Sequence, residues 1–344
     1  MRKPTKLMSD QLQLFEPETA EGEGFDPLAY DRYVVAMSGG KDSMGSLLQL
    51  LDLGVERDKI ELWHHLVDGR EDRLMDWPVT PDYCWTIAEA LDVEIFFSWK
   101  VGGFRGEMLR DEEKTAAVRF ETPSGEVKEV GGNNGAKNTR RMFPQVSGNL
   151  QVRWCSSYLK IDVASIAIRN QKRFERGKTL FVTGERAEES ARREKQSVLE
   201  PHDADLRNGS RKTRYVDHWR PMHSWGEEEV WELLRRWQIN PHPAYRLGWG
   251  RCSCMWCIFG SNDQFASAAE IDPEMARRIA DYEEEFGTTI KRDRSVPEMV
   301  EEGEAYDMKE EDIDAALSET FDEPAIVEDW SLPKGAFGDT AGPS

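Results

Sequence analysis

The chain has 344 residues, a formal net charge of −20 and 39% hydrophobic residues. It is long enough to bury a large core, and its sequence contains no apolar run of the roughly 18 residues that a membrane-spanning helix needs. The N-terminal residues lack the apolar core of a signal peptide, so we expect a cytoplasmic protein that does not bind membranes. Its five cysteines favour a metal or redox site over disulfides in a reducing compartment.

The negative charge is concentrated towards the C-terminus, where residues 301–329 carry thirteen acidic residues and one lysine. Residues 137–173, by contrast, carry eight basic residues and one acidic residue, which suits an anionic substrate. The acidic run is typical of a solvated tail or a surface helix. We predict a flexible N-terminal segment (residues 1–30), a folded domain (residues 31–260) and an acidic C-terminal extension (residues 261–344).

Strands and helices alternate along the predicted domain. An irregular insertion with one hairpin interrupts this alternation at about residues 102–150. The pattern predicts an open parallel α/β sheet that binds ligands beyond the carboxyl ends of its strands. The predicted elements, in chain order, are a strand at 33–37, a helix at 43–54, a strand at 60–68, a helix at 85–92, a strand at 93–99, a helix at 161–174, a strand at 179–186 and a helix at 224–238.

The turn between the first strand and the first helix has the sequence Ser-Gly-Gly-Lys-Asp-Ser at residues 38–43. Glycines let the backbone turn tightly and gather several N–H groups at a helix N-terminus, which forms an anion site. The Walker pattern is absent, because no GxxxxG loop precedes the lysine. The simple alternative is a turn that only caps the helix.

This pattern after an apolar strand resembles the PP-loop of ATP pyrophosphatases, which release pyrophosphate while they adenylate a substrate. The resemblance implies that Lys41 balances the charge of the phosphates. It also implies that Asp42, a candidate catalytic residue, helps to hold Mg²⁺ or positions the loop. The implied ATP-binding residues of the loop are Ser38, Gly39, Gly40, Lys41, Asp42 and Ser43.

Three further segments follow this loop in order, namely Arg153–Asp162, Thr183–Glu194 and Arg220–Cys257. Together with the loop they resemble the phosphoadenosine phosphosulfate (PAPS) reductase family, a branch of the PP-loop proteins, over about residues 33–260. The resemblance implies an open parallel sheet of the adenine-nucleotide alpha-hydrolase type, which is Rossmann-like. Helices would cover both faces of this sheet, and a cysteine-bearing extension would follow it.

The resemblance also assigns roles to residues outside the loop. Asp68 would lie near the adenosine, and Gly184 and Arg186 would close the nucleotide site. The other catalytic candidates are Lys160, over a phosphate or sulfate, and Arg193, facing an anionic group of the substrate. The alternatives are surface positions for the two arginines and an ordinary strand-end role for Asp68.

Four cysteines are candidate metal ligands. Cys252, Cys254 and Cys257 lie close together in sequence, and Cys155 lies where the family has a cysteine ligand. Four thiolates suit a [4Fe–4S] cluster, with tetrahedral Zn²⁺ as the competing metal and free thiols as the remaining alternative. The tight spacing of Cys252 and Cys254 leaves one of them free for another role. Cys84 stands alone, and we expect it to be buried.

Adenylyl-sulfate reductases of this family act through a cysteine in a C-terminal tail, whereas no cysteine follows Cys257 here. The resemblance therefore favours a sulfur-transfer ATPase like the one that acts in bacterial DNA phosphorothioation, with a cysteine desulfurase as sulfur donor. Its acceptor would be a nucleic-acid backbone phosphate, bound by residues such as Arg140 and Arg141 and through a partner complex. The alternatives are a PAPS or adenylyl sulfate reductase that releases sulfite and a nucleotide sensor without turnover.

Overall fold

The structure is a computed structural model that describes residues 24–133 and 135–338. The predicted flexible N-terminal segment (residues 1–30) lies outside the described residues up to position 23. In the described residues, eight strands form one sheet: β1 (Arg32–Ala36), β2 (Ile60–His65), β3 (Glu94–Lys100), β4 (Ala117–Glu121), β5 (Val127–Gly131), β6 (Lys178–Val182), β7 (Leu199–Pro201) and β8 (Tyr215–Trp219).

The helices of the described residues are α1 (Lys41–Asp52), α2 (Thr80–Ala90), α3 (Gly103–Met108), α4 (Trp154–Ser156), α5 (Asp162–Arg169), α6 (Glu227–Arg236), α7 (Pro243–Leu247), α8 (Asn262–Ile271), α9 (Pro273–Phe286), α10 (Val296–Glu302) and α11 (Glu310–Leu317). A π-helical turn (Ser157–Ile161) joins α4 to α5, and 3₁₀ turns cover Arg57–Lys59, Lys172–Glu175 and Ala187–Glu189. Among the described helices, none has the length and apolar character to cross a membrane.

The strand order of the sheet is β5-β4-β3-β2-β1-β6-β8-β7. The five central strands from β3 to β8 run parallel, whereas β4, β5 and β7 are antiparallel to their neighbours. The predicted parallel sheet is thus confirmed at its centre, and the complete sheet is mixed. The chain runs outward from β1 to β3 and later returns to place β6 on the other side of β1. Such a reversal of strand order is where open α/β sheets bind ligands.

Alternate side chains of β1 pack into two different cores, because successive residues of a strand point to opposite faces. Tyr33 and Val35 belong to the larger core, which includes residues of α1, α2 and α6. Val34 belongs to a smaller core with Val163 and Ile168 of α5. Helices therefore cover both faces of the sheet, as the sequence predicts, and β1 is an apolar run because it is buried on both sides.

The segment predicted as an insertion adds two strands to the main sheet. Its hairpin, β4 and β5, turns where the sequence predicts, and β4 pairs with β3. The sequence analysis did not predict α3, whose first residue, Gly103, has a φ of +54°. A Cβ atom on Gly103 would lie 2.0 Å from the carbonyl oxygen of Asp68, so glycine is needed for the close packing of α3 on the end of β2.

The segment predicted as an acidic extension (residues 261–344) contains α8 to α11 in its described part. Phe265, Ile279, Met299 and Phe321 are each at most 5% exposed, and they belong to the larger core of the sheet. The boundary at residue 260 stays a prediction, because side chains on both of its sides share this core.

Replacing Gly184 by alanine should destabilise the protein, because the end of β6 lies against the start of α1. A Cβ atom on Gly184 would lie 2.4 Å from the Asp42 carbonyl oxygen and 2.9 Å from the Ser43 nitrogen. Such overpacking costs about 1–3 kcal/mol, and denaturant unfolding measures it. The control is Gly106→Ala in α3, where the nearest atom, the Val101 oxygen, is 3.7 Å from the new Cβ. Equal losses in both variants would contradict the close approach.

Candidate nucleotide and thiol site

The loop of residues 38–43 joins β1 to α1 and is braced by its own serines. Ser43 Oγ lies 3.2 Å from the Ser38 N–H that donates to it, and it donates to the Gly40 carbonyl at 2.9 Å. Gly39 adopts a left-handed conformation with a φ of +81°. The turn stands at the start of a 12-residue helix, whose N-terminal partial positive charge attracts anions. The backbone N–H groups of Ser38, Gly40 and Lys41 donate to hydroxyl groups of the protein.

The side chain of Lys41 is only 1% exposed and contacts protein groups. Its ammonium lies 3.3 Å from a carboxylate oxygen of Glu227 and donates to the Gly250 carbonyl at 3.3 Å. The backbone N–H of Lys41 donates to the hydroxyl of Tyr245 at 2.9 Å. The structure therefore places the charge of Lys41 in an internal ion pair, and its action on bound phosphates stays a prediction.

Asp42 and Arg186 connect the loop to the segment that follows β6. Arg186 Nε donates to Asp42 Oδ1 at 2.6 Å, and the same guanidinium pairs with Glu188. Burial acts to raise the pKa of Asp42, but the positive charges of Lys41 and Arg186 outweigh it, and the pKa lies below its ordinary value. Asp42 is therefore ionised at neutral pH, and its charge holds Arg186 against the loop.

The segment after β6 also connects the loop to the cysteine region. Glu189 accepts a hydrogen bond from the Arg186 N–H at 2.9 Å, pairs with the Arg193 side chain and lies 3.3 Å from Arg251. Gly184 lies against the backbone of the loop. The structure thus brings the predicted residues Gly184, Arg186 and Arg193 together on one segment beside the loop.

Asp68 lies just beyond the end of β2 and is only 8% exposed. Its Oδ2 accepts hydrogen bonds from the N–H groups of Met75 (2.9 Å) and Asp76 (2.8 Å). Its Oδ1 has no hydrogen-bond partner among the described residues. Burial raises the pKa of Asp68 to about 6, although the two N–H groups act in the opposite direction.

A cavity of about 620 Å³ opens beside Asp68 at the carboxyl end of β2. Its wall combines the aromatic rings of Trp77, Trp85 and Phe97 with the carboxylates of Asp68 and Asp76. This volume is in the range of cavities that bind small organic molecules and cofactors. The predicted location of Asp68 near an adenosine is thus matched by a cavity of suitable size, and its role stays a prediction.

A second cavity, of about 170 Å³, adjoins the first, because Val67 lines both. Three of the predicted metal ligands line it: Cys155, Cys254 and Cys257. The small cavity therefore combines thiols with a positive field that favours an anion. The charged side chains in its wall are all basic, namely Arg153, Lys160, Arg193 and Arg251.

Cys252 does not line this small cavity and lies against the loop that follows β1. Its Sγ is 3.9 Å from the Ser38 carbonyl oxygen, and a Cβ atom on Gly40 would lie 3.3 Å from the Cβ of Cys252. Cys84 is fully buried beneath Gly39, as the sequence predicts. The structure therefore places three of the four candidate ligands on one cavity and the fourth on the nucleotide loop.

Lys160 is exposed to the small cavity and makes no hydrogen bond or ion pair within the described part of the chain. Burial acts to lower the pKa of Lys160, but Cys254 and Asp76 outweigh it, and its pKa is raised. Burial raises the pKa of the Cys155 thiol to about 11 and that of Cys254 well above its ordinary value. Lys160 and Arg153 are therefore the basic side chains of this cavity without a hydrogen bond or ion pair in the described residues, and they lie beside the protonated thiols of Cys155 and Cys254.

Among residues 24–133 and 135–338, no three Cys, His, Asp or Glu side chains lie close enough together to hold a metal ion. A tetrahedral Zn²⁺ needs its sulfur and nitrogen ligands within about 2.0–2.3 Å. The described residues therefore contain no assembled zinc site, and the zinc alternative, like the cluster, stays a prediction. The four-cysteine set predicted for a [4Fe–4S] cluster is not assembled either, because Cys252 lies outside the small cavity. We assign no step of the reaction to a metal.

Arg140 and Arg141, which the sequence analysis places on nucleic-acid phosphates, are engaged within the protein. Arg140 donates to Glu107 Oε1 at 2.9 Å, and its guanidinium lies 4.8 Å from the ring centre of Trp154. Arg141 forms an ion pair with Glu285 at 2.5 Å. Glu107 is shared between Arg140 and Arg110, and the pair of Arg141 with Glu285 lies at the surface, so binding of nucleic-acid phosphates by Arg140 and Arg141 stays a prediction.

The sequence analysis missed side chains that fix the loop from distant parts of the chain. Glu227 forms an ion pair with the Lys41 side chain, and the Tyr245 hydroxyl accepts a hydrogen bond from the backbone N–H of Lys41. Glu227 belongs to the acidic first turn of α6, which the helix dipole alone explains. No local pattern therefore marked either residue as a partner of the loop.

The fold and the loop define the class of protein. A mostly parallel α/β sheet with a glycine turn at the helix N-terminus beside the point of strand reversal is a Rossmann-like, PP-loop fold. Residues 130–259 match the phosphoadenosine phosphosulfate reductase domain. Over residues 130–259 the chain is therefore similar to the PAPS reductase family, a branch of the PP-loop superfamily, as its motifs predict. The match covers less than half of the chain and begins after residues 38–43.

A curated relative comes from Escherichia phage 186, where it is described as an uncharacterized 37.8 kDa protein in the gpa 5' region. It is 30% identical to this chain over 145 residues. The alignment covers 42% of this chain and 41% of the relative, so the chain spans less than half the length of this relative. The similarity supports a shared region and carries no activity from one protein to the other.

Replacing Asp68 by asparagine should change how stability depends on pH. The folded-state pKa of about 6 lies above the unfolded value of about 4. The contribution of Asp68 to stability is therefore fully present below pH 4 and is lost as the pH rises through 6. Between pH 4 and pH 7.5, the free energy of unfolding of Asp68→Asn should therefore rise by up to about 3 kcal/mol relative to that of the wild type.

Urea unfolding at four pH values across this range measures the effect. The control is Asp58→Asn, which changes an exposed carboxylate in a 3₁₀ turn and should give a curve parallel to that of the wild type. A parallel curve for Asp68→Asn as well would contradict the burial of an ionisable Asp68.

Proposed function

We propose that this protein is a PP-loop enzyme that uses ATP to adenylate an acceptor and then transfers sulfur to it, with pyrophosphate and AMP as products. The observation that carries the proposal is the grouping of three features at one edge of the sheet. These are the anion-binding loop (residues 38–43), the larger cavity beside Asp68 and the small cavity with three thiols. Nucleotide binding alone accounts for only the first two.

Short contacts join the three features. His64 lines the larger cavity, and its Nδ1 lies 2.9 Å from the Met37 carbonyl oxygen, directly before the loop. Cys252 contacts the loop, and the next two residues, Ser253 and Cys254, line the small cavity. A triphosphate on the loop, a nucleoside in the larger cavity and a sulfur atom at the thiols would therefore be neighbours.

In the proposed first step, an acceptor oxygen attacks the α-phosphorus of ATP and pyrophosphate leaves. In the second step, a persulfide that the donor forms on one cavity thiol attacks the adenylated centre through its outer sulfur, and AMP leaves with the acceptor oxygen. A second cavity thiol then breaks the S–S bond, which leaves the sulfur on the acceptor and a disulfide between the two protein thiols, and an external thiol reduces this disulfide before the next turnover. The loop N–H groups and the hydroxyls of Ser38 and Ser43 orient the triphosphate, and Asp42 holds the loop or Mg²⁺. Lys160 and Arg193 offset the negative charge that develops at the reacting centre.

The distribution of thiols favours sulfur transfer over the reductase alternative. A PAPS or adenylyl sulfate reductase needs a thiol that attacks the sulfonyl sulfur and is then regenerated, and no cysteine follows Cys257 in the sequence. Sulfur transfer needs thiols beside the adenylated acceptor, which the small cavity supplies. A nucleotide sensor without turnover would leave this cavity without a role.

The partners in this proposal follow from charge and chemistry. The sulfur comes from a donor such as a cysteine desulfurase, and the acceptor is a nucleic-acid backbone phosphate, as in DNA phosphorothioation. A net charge of −20 opposes direct binding of a polyanion, so the acceptor is bound through a partner complex. In this proposal the protein works in the cytoplasm.

Changes to the loop should abolish pyrophosphate release from ATP and preserve the fold. Ser38→Ala removes a hydroxyl of the loop, and Asp42→Asn removes the charge that binds Arg186. A coupled assay measures pyrophosphate formation, and circular dichroism checks the fold. The control is Ser124→Ala, an exposed serine in the turn between β4 and β5, which should retain the wild-type rate.

Two results would overturn this part of the proposal. Full pyrophosphate release by Ser38→Ala and Asp42→Asn would exclude the loop as the triphosphate site. Sulfite release from PAPS by the wild-type protein with thioredoxin as reductant, and no pyrophosphate release from ATP, would establish the reductase instead.

An iron–sulfur cluster is a separate part of the proposal, supported by the three thiols that share the basic small cavity. We expect anaerobically purified protein to contain iron and labile sulfide, and serine variants of Cys155, Cys254 and Cys257 to lose both. Cys252→Ser and Cys84→Ser are the controls and should keep the iron, because neither thiol lines the small cavity. A wild-type protein without iron, or equal iron loss in all five variants, would contradict cluster binding by these thiols.

A further inference from the structure

Four polar side chains lie together in a ring at the carboxyl ends of β6 and β8, joined by two hydrogen bonds of His218 and by the charges of Glu185 and Arg220. Arg220 Nη2 donates to His218 Nδ1 at 3.2 Å, and His218 Nε2 lies 2.6 Å from Thr183 Oγ1. Against the effect of burial, Arg220 and Thr183 both favour the ionised form of Glu185, whose pKa is lowered, and Glu185 Oε2 lies at an ion-pair distance of 3.6 Å from Arg220 Nε. The sequence analysis assigned no role to any of these four residues.

The contacts of the ring fix the tautomer of His218. Arg220 offers only donors, so His218 Nδ1 accepts and the ring proton lies on Nε2. The Nε2–H then donates to Thr183, whose hydroxyl is left to donate to the carboxylate of Glu185. Burial lowers the pKa of His218 to about 4, so the imidazole is neutral at physiological pH.

The ring holds the segment that reaches the nucleotide loop. Thr183 and Glu185 flank Gly184, which lies against the backbone of Asp42. The next side chain, that of Arg186, donates to Asp42 at 2.6 Å. A rotation of the backbone at Thr183 or Glu185 would therefore move Arg186 away from the loop.

We propose that His218 is a positioning residue, which orients residues 183–186 through Thr183 so that Arg186 reaches Asp42. The inference makes two predictions, one for nucleotide binding and one for the order of residues 183–190, and only the first rests on the proposed function. The second prediction, the order of the segment itself, requires no ligand.

The experiment compares three variants. His218→Met removes both ring nitrogens and keeps an apolar side chain of similar length, whereas His218→Gln keeps an N–H donor that reaches Thr183. His202→Met is the matched control, because His202 packs on Phe181 as His218 does, and its ring centre lies 5.9 Å from that of His218. It makes no hydrogen bond to Thr183, Glu185 or Arg220 among the described residues, so this variant changes the packing around His218 and leaves the donor to Thr183 in place. Denaturant unfolding establishes that the two methionine variants are comparably stable.

Hydrogen exchange without nucleotide measures the order of residues 183–190. The N–H of Arg186 is bonded to Glu189 and that of Ala187 to the His223 carbonyl, so both report on the segment. We expect exchange there to increase about tenfold in His218→Met, to stay near wild type in His218→Gln and to be unchanged in His202→Met. Calorimetric titration with Mg·ATP should show about tenfold weaker binding in His218→Met alone.

Unchanged exchange in His218→Met would overturn the inference, and so would an equal increase in His202→Met. A failure of His218→Gln to restore protection would overturn it too, because the donor to Thr183 would then not be what matters. If the wild-type protein binds no Mg·ATP while the exchange results hold, the proposed function fails and the positioning role of His218 stands.

Discussion

The close contact between Gly184 and the backbone of Asp42 is the constraint on which the candidate site depends. It brings the end of β6 against the start of α1, so the two central strands that flank the point of strand reversal share one loop region. The ion pair between Asp42 and Arg186 also holds the segment after β6 against the start of α1. Because Glu189 links Arg186 to Arg193 and Arg251, the same contact also sets the position of the basic wall of the thiol cavity.

The chemistry proposed for the site follows from two adjoining cavities of different character. The larger one is lined by aromatic rings, carboxylates and two arginines, and the smaller one is lined by thiols and basic side chains, of which Lys160 and Arg153 form no ion pair in the described residues. A negatively charged intermediate bound between the two cavities would be stabilised by the basic side chains of the small cavity, where the replacement of oxygen by sulfur is proposed. The family match covers the residues of this thiol side, whereas the loop of residues 38–43 is supported by its own geometry.

The sequence predicted those parts of the fold that depend on interactions between residues close together in the chain. The succession of β1, the glycine turn and α1 was predictable from the sequence. A strand that is buried on both faces is a continuous apolar run, and the turn that leads into the helix N-terminus contains glycines. The burial of Lys41 was not predictable, because its partners Glu227 and Tyr245 lie about 190 and 204 residues further along the chain and only the tertiary fold brings them near. The tight spacing of Cys252 and Cys254 predicted that one of them has another role, but only the tertiary fold shows that Cys252 is the one that contacts the loop while Cys254 lines the small cavity.

The position of bond cleavage in ATP tests the central claim most directly. We would incubate anaerobically purified protein with Mg·ATP, the sulfur donor and a nucleic-acid acceptor, and follow the products by phosphorus NMR spectroscopy. The account predicts AMP and pyrophosphate in equal amounts, because the loop orients the triphosphate for attack at the α-phosphorus. Formation of ADP and inorganic phosphate, or no consumption of ATP under any of these conditions, would contradict it.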